Sequence, residues 1–225
     1  VVATFCHNIA NNLQIDIHDE NKNLKLVYID DLVKKFIFLL NNFPSEFTFK
    51  EVNPEYNIKL KDLADLIIEF RDSRHTNVIP NVGDGFTRKL YATYLSYFNS
   101  NNFTYKIKEN IDYRGSFVEM IKTKSAGQFS FFTANPGVKR GGHYHNTKNE
   151  KFLVIKGKAR FRFRNINTEE CKELFVDDSD LKIVETCPGW THDIKNIGSE
   201  KMYVILWANE QYDKNNPDTI FSETF

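Results

Sequence analysis

The chain has 225 residues, with 41% hydrophobic, 14% aromatic and 27% charged side chains, and its 30 basic residues balance 30 acidic ones. That mixture can bury a core and excludes a disordered chain, while zero net charge lacks the basic excess by which nucleic-acid binders displace counterions. No apolar run approaches the ~20 residues that span a bilayer, so neither a nucleic-acid nor a membrane partner is expected.

Cys6, Cys171 and Cys187 form no CxxC pair and no even disulfide set, which points to a reducing, cytoplasmic compartment. The start, Val1-Val-Ala-Thr-Phe5, has no basic n-region of a signal peptide, and a chain opening on valine reads as a fragment of a longer protein. Thr4 to Asn12 suits a helix, and Leu24 to Ile29 reads as a short buried strand. Asp30 or Asp31 then stands as an N-cap before a helix with the apolar face Leu32, Val33, Phe36, Ile37 and Leu40. Asn42-Phe-Pro-Ser45 should end that helix. A further amphipathic run carries Leu60, Leu63, Ala64, Ile67, Ile68 and Phe70, and a Tyr-rich helix over Leu90–Phe98 follows the turn Gly83-Asp-Gly85. Tyr91, Tyr94, Tyr97 and Phe98 offer apolar surface for a homodimer, and core packing explains them equally well. Polar Asn99 to Asn102 read as a linker.

After about Tyr105 the pattern changes to short strands: Gln128–Thr133, Glu150–Ile155, Ala159–Arg164, Glu173–Val176, Lys182–Thr186 and Met202–Trp207. Turn signals such as Asn135-Pro-Gly137 and Pro188-Gly189 separate them, as in a sandwich or barrel. Three histidines in this half are organised. His143-Tyr-His145 puts two imidazoles on one face of an extended strand; Glu150 follows five residues on, and His192 comes just after Pro188-Gly189. Imidazoles with one carboxylate are the ligand set of a borderline divalent cation, zinc being the expected one.

Gly142-His143-Tyr-His145…Glu150…Gly157 and Gly189-Trp-Thr-His192…Asn196 resemble the two motifs of the cupin superfamily, a small double-sheet barrel. Cys187 stands where the second motif usually has proline, leaving it open as an extra soft ligand or a packed thiol. A wider resemblance covers nearly the whole chain. Val1-Val-Ala-Thr-Phe-Cys-His-Asn-Ile-Ala10, Leu26-Val-Tyr-Ile-Asp-Asp31, Pro80-Asn-Val-Gly-Asp-Gly85, Tyr94-Leu-Ser-Tyr97, Asn149-Glu-Lys-Phe-Leu-Val154 and Asn216-Pro-Asp-Thr219 are similar to the bifunctional capsular-polysaccharide family CapF. That family joins a short-chain dehydrogenase/reductase to a C-terminal cupin. The resemblance implies that the cupin epimerises a UDP-4-keto-6-deoxy-N-acetylhexosamine at C3, towards UDP-N-acetyl-L-fucosamine, and that the reductase then reduces the C4 ketone with NADPH.

The front half departs from that pattern. All ten glycines lie at or after Gly83, which leaves no dinucleotide-binding fingerprint before it, and the sole Tyr-x-x-x-Lys pair, Tyr144 and Lys148, sits inside the metal motif. The resemblance therefore implies an α+β N-terminal lobe over residues 1–102, the substrate-side remnant of an extended short-chain reductase. An all-β cupin double-sheet barrel over 103–225 follows. NADP(H) is not expected to bind, and reductase activity should be absent. Asp112-Tyr-Arg-Gly-Ser-Phe-Val-Glu119 resembles the opening strand of the dTDP-sugar 3,5-epimerases, which implies Arg114 as a contact for sugar or diphosphate. Lys156, Lys158, Arg160, Arg162 and Arg164 alternate along one strand face, so Arg160 and Arg162 are candidates to cradle a diphosphate; a solvated sheet face is the other reading. Those epimerases use a histidine and a tyrosine, under which Tyr144, Tyr113 or Tyr203 becomes the acid. Two other functions stay open: a metal-dependent dioxygenase, and a non-catalytic sugar-binding or assembly module stapled by its metal.

Overall fold

The computed structural model describes residues 1–43 and 50–225 and divides into two compact units, Val1–His75 with Pro80–Tyr105, and Thr76–Ile79 with Lys106–Phe225. In the first unit, α1 (Val2–Ala10), α3 (Leu60–Thr76) and α4 (Gly85–Leu95) share one core. Leu63, Ala64, Ile67 and Phe70 recur at helical spacing along one face of α3 and are almost fully buried. Burial of each large apolar side chain contributes roughly 1.5–3 kcal/mol, which is what holds these helices together. Tyr94 is buried, its ring 5.1 Å from that of Phe98, while Tyr91 lies 5.0 Å from Phe70. Of the two readings of the Tyr-rich run, core packing describes Tyr94, while Tyr91, Tyr97 and Phe98 pack part-buried against the same core. Helix α4 also starts five residues before Leu90, at Gly85, and ends before Phe98, where the Ser96 hydroxyl bonds the Thr93 carbonyl at 2.6 Å.

Burial also sets the reactivity of a thiol here. Cys6 is inaccessible, and burial pushes its pKa up to about 11, whereas Cys171 and Cys187 are exposed. Since the thiolate is the nucleophile, a thiol reagent at pH 8 should label two cysteines in the native chain and three after denaturation, as counted by mass spectrometry.

Two expectations for the front half need correction. The strand β1 (Asn23–Val27) is not buried: it pairs antiparallel with β2 (Glu55–Lys59) in a two-stranded sheet that alternates between exposed and half-buried positions. Helix α2 (Ile29–Asn41) starts ahead of both aspartates, with Tyr28 as N-cap. Asp30 and Asp31 sit in its first turn, where carboxylates favour the helix dipole, and Asp31 pairs with Lys89. Its apolar residues Val33, Phe36, Ile37 and Leu40 are exposed among the described residues. Periodicity dictates the helix but does not name a partner for its face. The helix ends at Asn41, where the Asn42 side chain bonds the Phe38 carbonyl at 3.0 Å; Pro44 and Ser45 of the expected break lie outside the described residues. Ser100–Asn102 form a 3-10 turn capped by Asn99, whose side chain accepts the Asn101 N–H at 3.0 Å.

The second unit is a double-sheet barrel of cupin type. Strands β3 (Val78–Ile79), β4 (Glu109–Asp112), β5 (Gly115–Thr123), β6 (Gln128–Ala134), β8 (Glu150–Lys156), β11 (Ile183–Glu185) and β13 (Met202–Ala208) form one sheet. The other has the order β10 (Cys171–Asp177), β9 (Lys158–Asn165), β12 (Trp190–Asn196), β7 (Lys139–Tyr144) and β14 (Ile220–Phe221). All pairings are antiparallel except β3 with β5, where Val78 faces Lys122; this pairing places Thr76–Ile79 with the second unit. Phe132, Phe152, Phe161, Ile194, Val204 and Leu206 project between the sheets as the core, following the inward half of each strand's alternation. No helix among the described residues is long and apolar enough to cross a membrane.

Candidate metal centre

Three strand ends bring His143, His145, Glu150 and His192 together, with their ligand atoms all within 4.8 Å of one another. His143 near the end of β7 and His145 just past it continue one extended alternation and share a face, and His192 of β12 lies directly opposite His143. The register then slips: Asp193 faces Gly141, leaving Gly142 as an extra residue. Gly141 has φ +94°, and a Cβ there would sit 2.7 Å from the His192 carbonyl oxygen, so only glycine lets the two ligand strands close at this bulge. Glu150 opens β8, its N–H donating to the Thr186 hydroxyl at 2.9 Å. Ahead of His192, the Gly189 N–H bonds the His145 carbonyl at 2.9 Å, tying one ligand's backbone to the other's turn.

His145, Glu150 and His192 are buried and His143 is half-buried. Glu150 Oε2 lies 3.3 Å from Nε2 of His145 and 3.2 Å from Nε2 of His192, and its Oε1 pairs with Lys148 at 3.0 Å. On the far side of each ring, Nδ1 of His145 faces the Asp218 carbonyl and Nδ1 of His192 faces that of Trp190 at 3.3 Å. Each imidazole thus meets an acceptor on both nitrogens. Protein groups alone would need two protons on each ring, whereas one divalent ion supplies the same two positive charges to the shared centre. With Nδ1–H committed to a carbonyl, Nε2 is the free donor, the usual outer-shell arrangement around a metal-bound histidine. Neighbouring donors ~3.3 Å apart also match ligands each about 2.0–2.1 Å from one ion. These four residues can hold a metal ion. Burial, then the neighbouring His192, pushes the His143 pKa down to about 3, so its lone pair stays available. For Glu150 burial opposes ionisation, but hydrogen bonding to His145 and His192 and the Lys148 charge hold its carboxyl well below the usual range.

The cluster opens on a cavity of about 180 Å³ lined by His143, Glu150 and His192, the rings of Phe132 and Phe161, and Arg114. Arg140 lines it too, and sequence reading missed it. Its guanidinium donates to the carbonyls of Thr133 at 3.2 Å and Ser116 at 3.4 Å and lies 5.2 Å from the Phe132 ring centroid. Among the described residues no carboxylate forms an ion pair with it, and burial and the Arg114 charge lower its pKa. Arg114, by contrast, is paired with Asp112 at 2.6 Å. A second compartment of about 330 Å³, lined by Glu119, Gln128, Ser130, Lys148 and Tyr212, also reaches Glu150.

Other candidates fall away from the site. Tyr144 is one residue out of phase with His143 and His145, so its side chain leaves by the opposite face of β7. Tyr113 is 84% exposed in the β4–β5 turn, and Tyr203 lines neither cavity. Arg160 and Arg162 share the outward face of β9, where Glu173 lies 3.4 and 3.0 Å from them; Phe161 between them faces the cavity. They form part of the sheet's outer face rather than a diphosphate cradle. The Cys187 thiol is exposed and outside the ligand cluster.

Residues 110–220 match the family described as polysaccharide biosynthesis C-terminal domain. Over 218 residues, 97% of the chain, the sequence is 51% identical to a Pseudomonas aeruginosa protein named UDP-2-acetamido-2,6-beta-L-arabino-hexul-4-ose reductase, of which it covers 59%. Among solved structures it is similar to CapF with the inhibitor 3-isopropenyl-tropolone (TM-score 0.92, 42% identity, 99% of this chain and 66% of that one). It is likewise similar to CapF from Staphylococcus aureus, described as a capsular polysaccharide assembling protein (TM-score 0.90, 41% identity, 99% of this chain and 61% of that one). The chain therefore spans about three fifths to two thirds of the length of these relatives. The barrel thus matches the polysaccharide biosynthesis C-terminal domain over residues 110–220, within a chain that is similar to CapF over nearly its whole length.

Proposed function

We propose that the barrel is a nucleotide-sugar epimerase of capsular polysaccharide biosynthesis, acting at C3 of a UDP-4-keto-6-deoxy-N-acetylhexosamine. The observation that carries this reading is the facing of a metal-ligand cluster and an unpaired arginine across one small cavity. The P. aeruginosa relative's name specifies a UDP-linked 4-ulose, and we bring that substrate class to this chain. His143, His145, Glu150 and His192 would hold a divalent ion, zinc by donor type, which when bound supplies polarisation of a ketone oxygen. Arg140 has donor capacity left for a diphosphate oxygen, with Arg114 beside it. Phe117, Phe132, Phe152 and Phe161 exclude water from the sugar end and so strengthen those charge contacts. We assign no reductase chemistry and no NADP(H) binding to these residues, because nothing before Gly83 can form a glycine-rich phosphate turn.

The test is proton exchange. Zinc-loaded protein incubated with the UDP-4-keto sugar in heavy water should place deuterium at C3, read by NMR; a metal-loaded chain that exchanges nothing defeats the epimerase reading. Arg140→Ala should weaken UDP-sugar binding by about 10–100-fold, since a hydrogen bond to a charged group is worth roughly 1.5–3 kcal/mol. Calorimetry would detect it, and an unchanged affinity would remove Arg140 from the binding site.

A further inference from the structure

We infer that Asp218 is a positioning residue of the metal centre, and that residues 218–225 form a strap that keeps it there; the inference rests on the metal reading above. One residue holds two ligands. Its main-chain carbonyl accepts Nδ1–H of His145, which orients that ring and leaves Nε2 for the centre. Its carboxylate accepts the backbone N–H groups of Asn146 at 2.9 Å, Thr147 at 2.7 Å and Lys148 at 2.9 Å, and the Thr147 hydroxyl at 2.9 Å. Those three residues lie in the loop joining His145 to Glu150. Lys148, fixed by its amide, then reaches Glu150 Oε1, which leaves Oε2 turned toward His145 and His192.

Asp218 is 73 residues from His145 in sequence, so something must hold it in place. Strand β14 pairs with β7 at Tyr144 and His143, and the Ser222 N–H bonds the Gly142 carbonyl at 3.1 Å. Arg164 donates to the Ser222 hydroxyl at 2.9 Å and to the Thr224 carbonyl at 2.9 Å. Arg162 donates to the Phe225 carbonyl, with its guanidinium 4.8 Å from that ring's centroid, and the Thr224 hydroxyl donates to the buried Asp193. The outward arginines of β9 thus act as a clamp on the strap.

The experiment measures Zn²⁺ affinity by competition with a chromophoric chelator, together with the visible spectrum of the Co²⁺-loaded protein and the melting temperature of the metal-free chain. Asp218→Asn should weaken Zn²⁺ binding by about 10–100-fold, the usual effect of losing an outer-shell partner. It should also alter the Co²⁺ spectrum, and Asp218→Glu should recover part of the affinity. Arg164→Met, which removes the strap contacts together with an exposed pair to Glu169 and touches none of the four ligands, should weaken Zn²⁺ binding in the same direction and decides the matter if Asp218→Asn does not fold. Wild-type affinity and spectrum in the folded Asp218 variant, with only a lower metal-free melting temperature, would overturn the inference while leaving the metal reading intact. A wild-type chain that takes up no Zn²⁺ would overturn both.

Discussion

Replacing His145 with alanine should strip the chain of its metal. The wild-type protein, loaded and desalted, is expected to retain about one divalent ion per chain by elemental analysis; His145→Ala should retain almost none. The expected loss of affinity is roughly 100-fold or more, exceeding the 10–100-fold typical of an outer-shell change, because a donor atom itself is removed. His145 is the least exposed of the four ligands, at 1%, and meets both Glu150 and Asp218. Its removal leaves the Glu150 carboxylate with one imidazole fewer. A chelator should lower the melting temperature of the wild type and leave that of His145→Ala unchanged, since binding to the native state alone stabilises it by mass action. His75→Ala, an exposed histidine of the first unit, is the control and should change neither quantity. Full metal content in His145→Ala would mean that the four side chains do not share one ion.

Gly141→Ala should be the most damaging single methyl group in the barrel's ligand strands. Two costs add at this position. The residue has φ +94°, where a side chain is strained by about 1–3 kcal/mol. The new Cβ would also lie 2.7 Å from the His192 carbonyl oxygen and 3.0 Å from the Asp193 Cα, both backbone atoms that cannot swing aside. Strand β12 must therefore move away from β7, and His192 moves with it. The expected destabilisation is about 3 kcal/mol or more, measured by urea unfolding, accompanied by weakened metal binding. Gly142→Ala separates the two costs. That glycine has φ +87° but open space around a Cβ, so only the backbone penalty of about 1–2 kcal/mol should appear, with metal binding retained. Equal effects at the two positions would show that strand closure at the bulge does not govern the site.

The four candidate metal ligands were legible because their spacing encodes them locally: two histidines share a strand face, and a glycine turn precedes the third. The barrel core was legible for the same reason, since Ala159, Phe161 and Phe163 alternate with cations along β9. That alternation puts Arg160 and Arg162 on the face away from the cavity, once it is known which face the barrel closes around. Strand parity fails at the bulge on β7. Arg140 is an odd number of residues from His143 and should point outward, but the extra residue Gly142 restores it to the inner face beside Ile194. A bulge is a property of two paired strands, and only the pairing reveals it. Helix α2 shows the same limit, for its period of apolar residues specifies a helix while leaving its partner unspecified. Composition and period alone pointed to a helix-rich front, a strand-rich remainder and the candidate ligand set, because these depend on neighbours along the chain. Tertiary structure alone decided that Arg140 faces the metal cluster, that Asp218 holds His145 across 73 residues, and that the tyrosines proposed as acids stand elsewhere. Those outcomes depend on strand register and long-range closure, for which the intervening sequence carries no local signal.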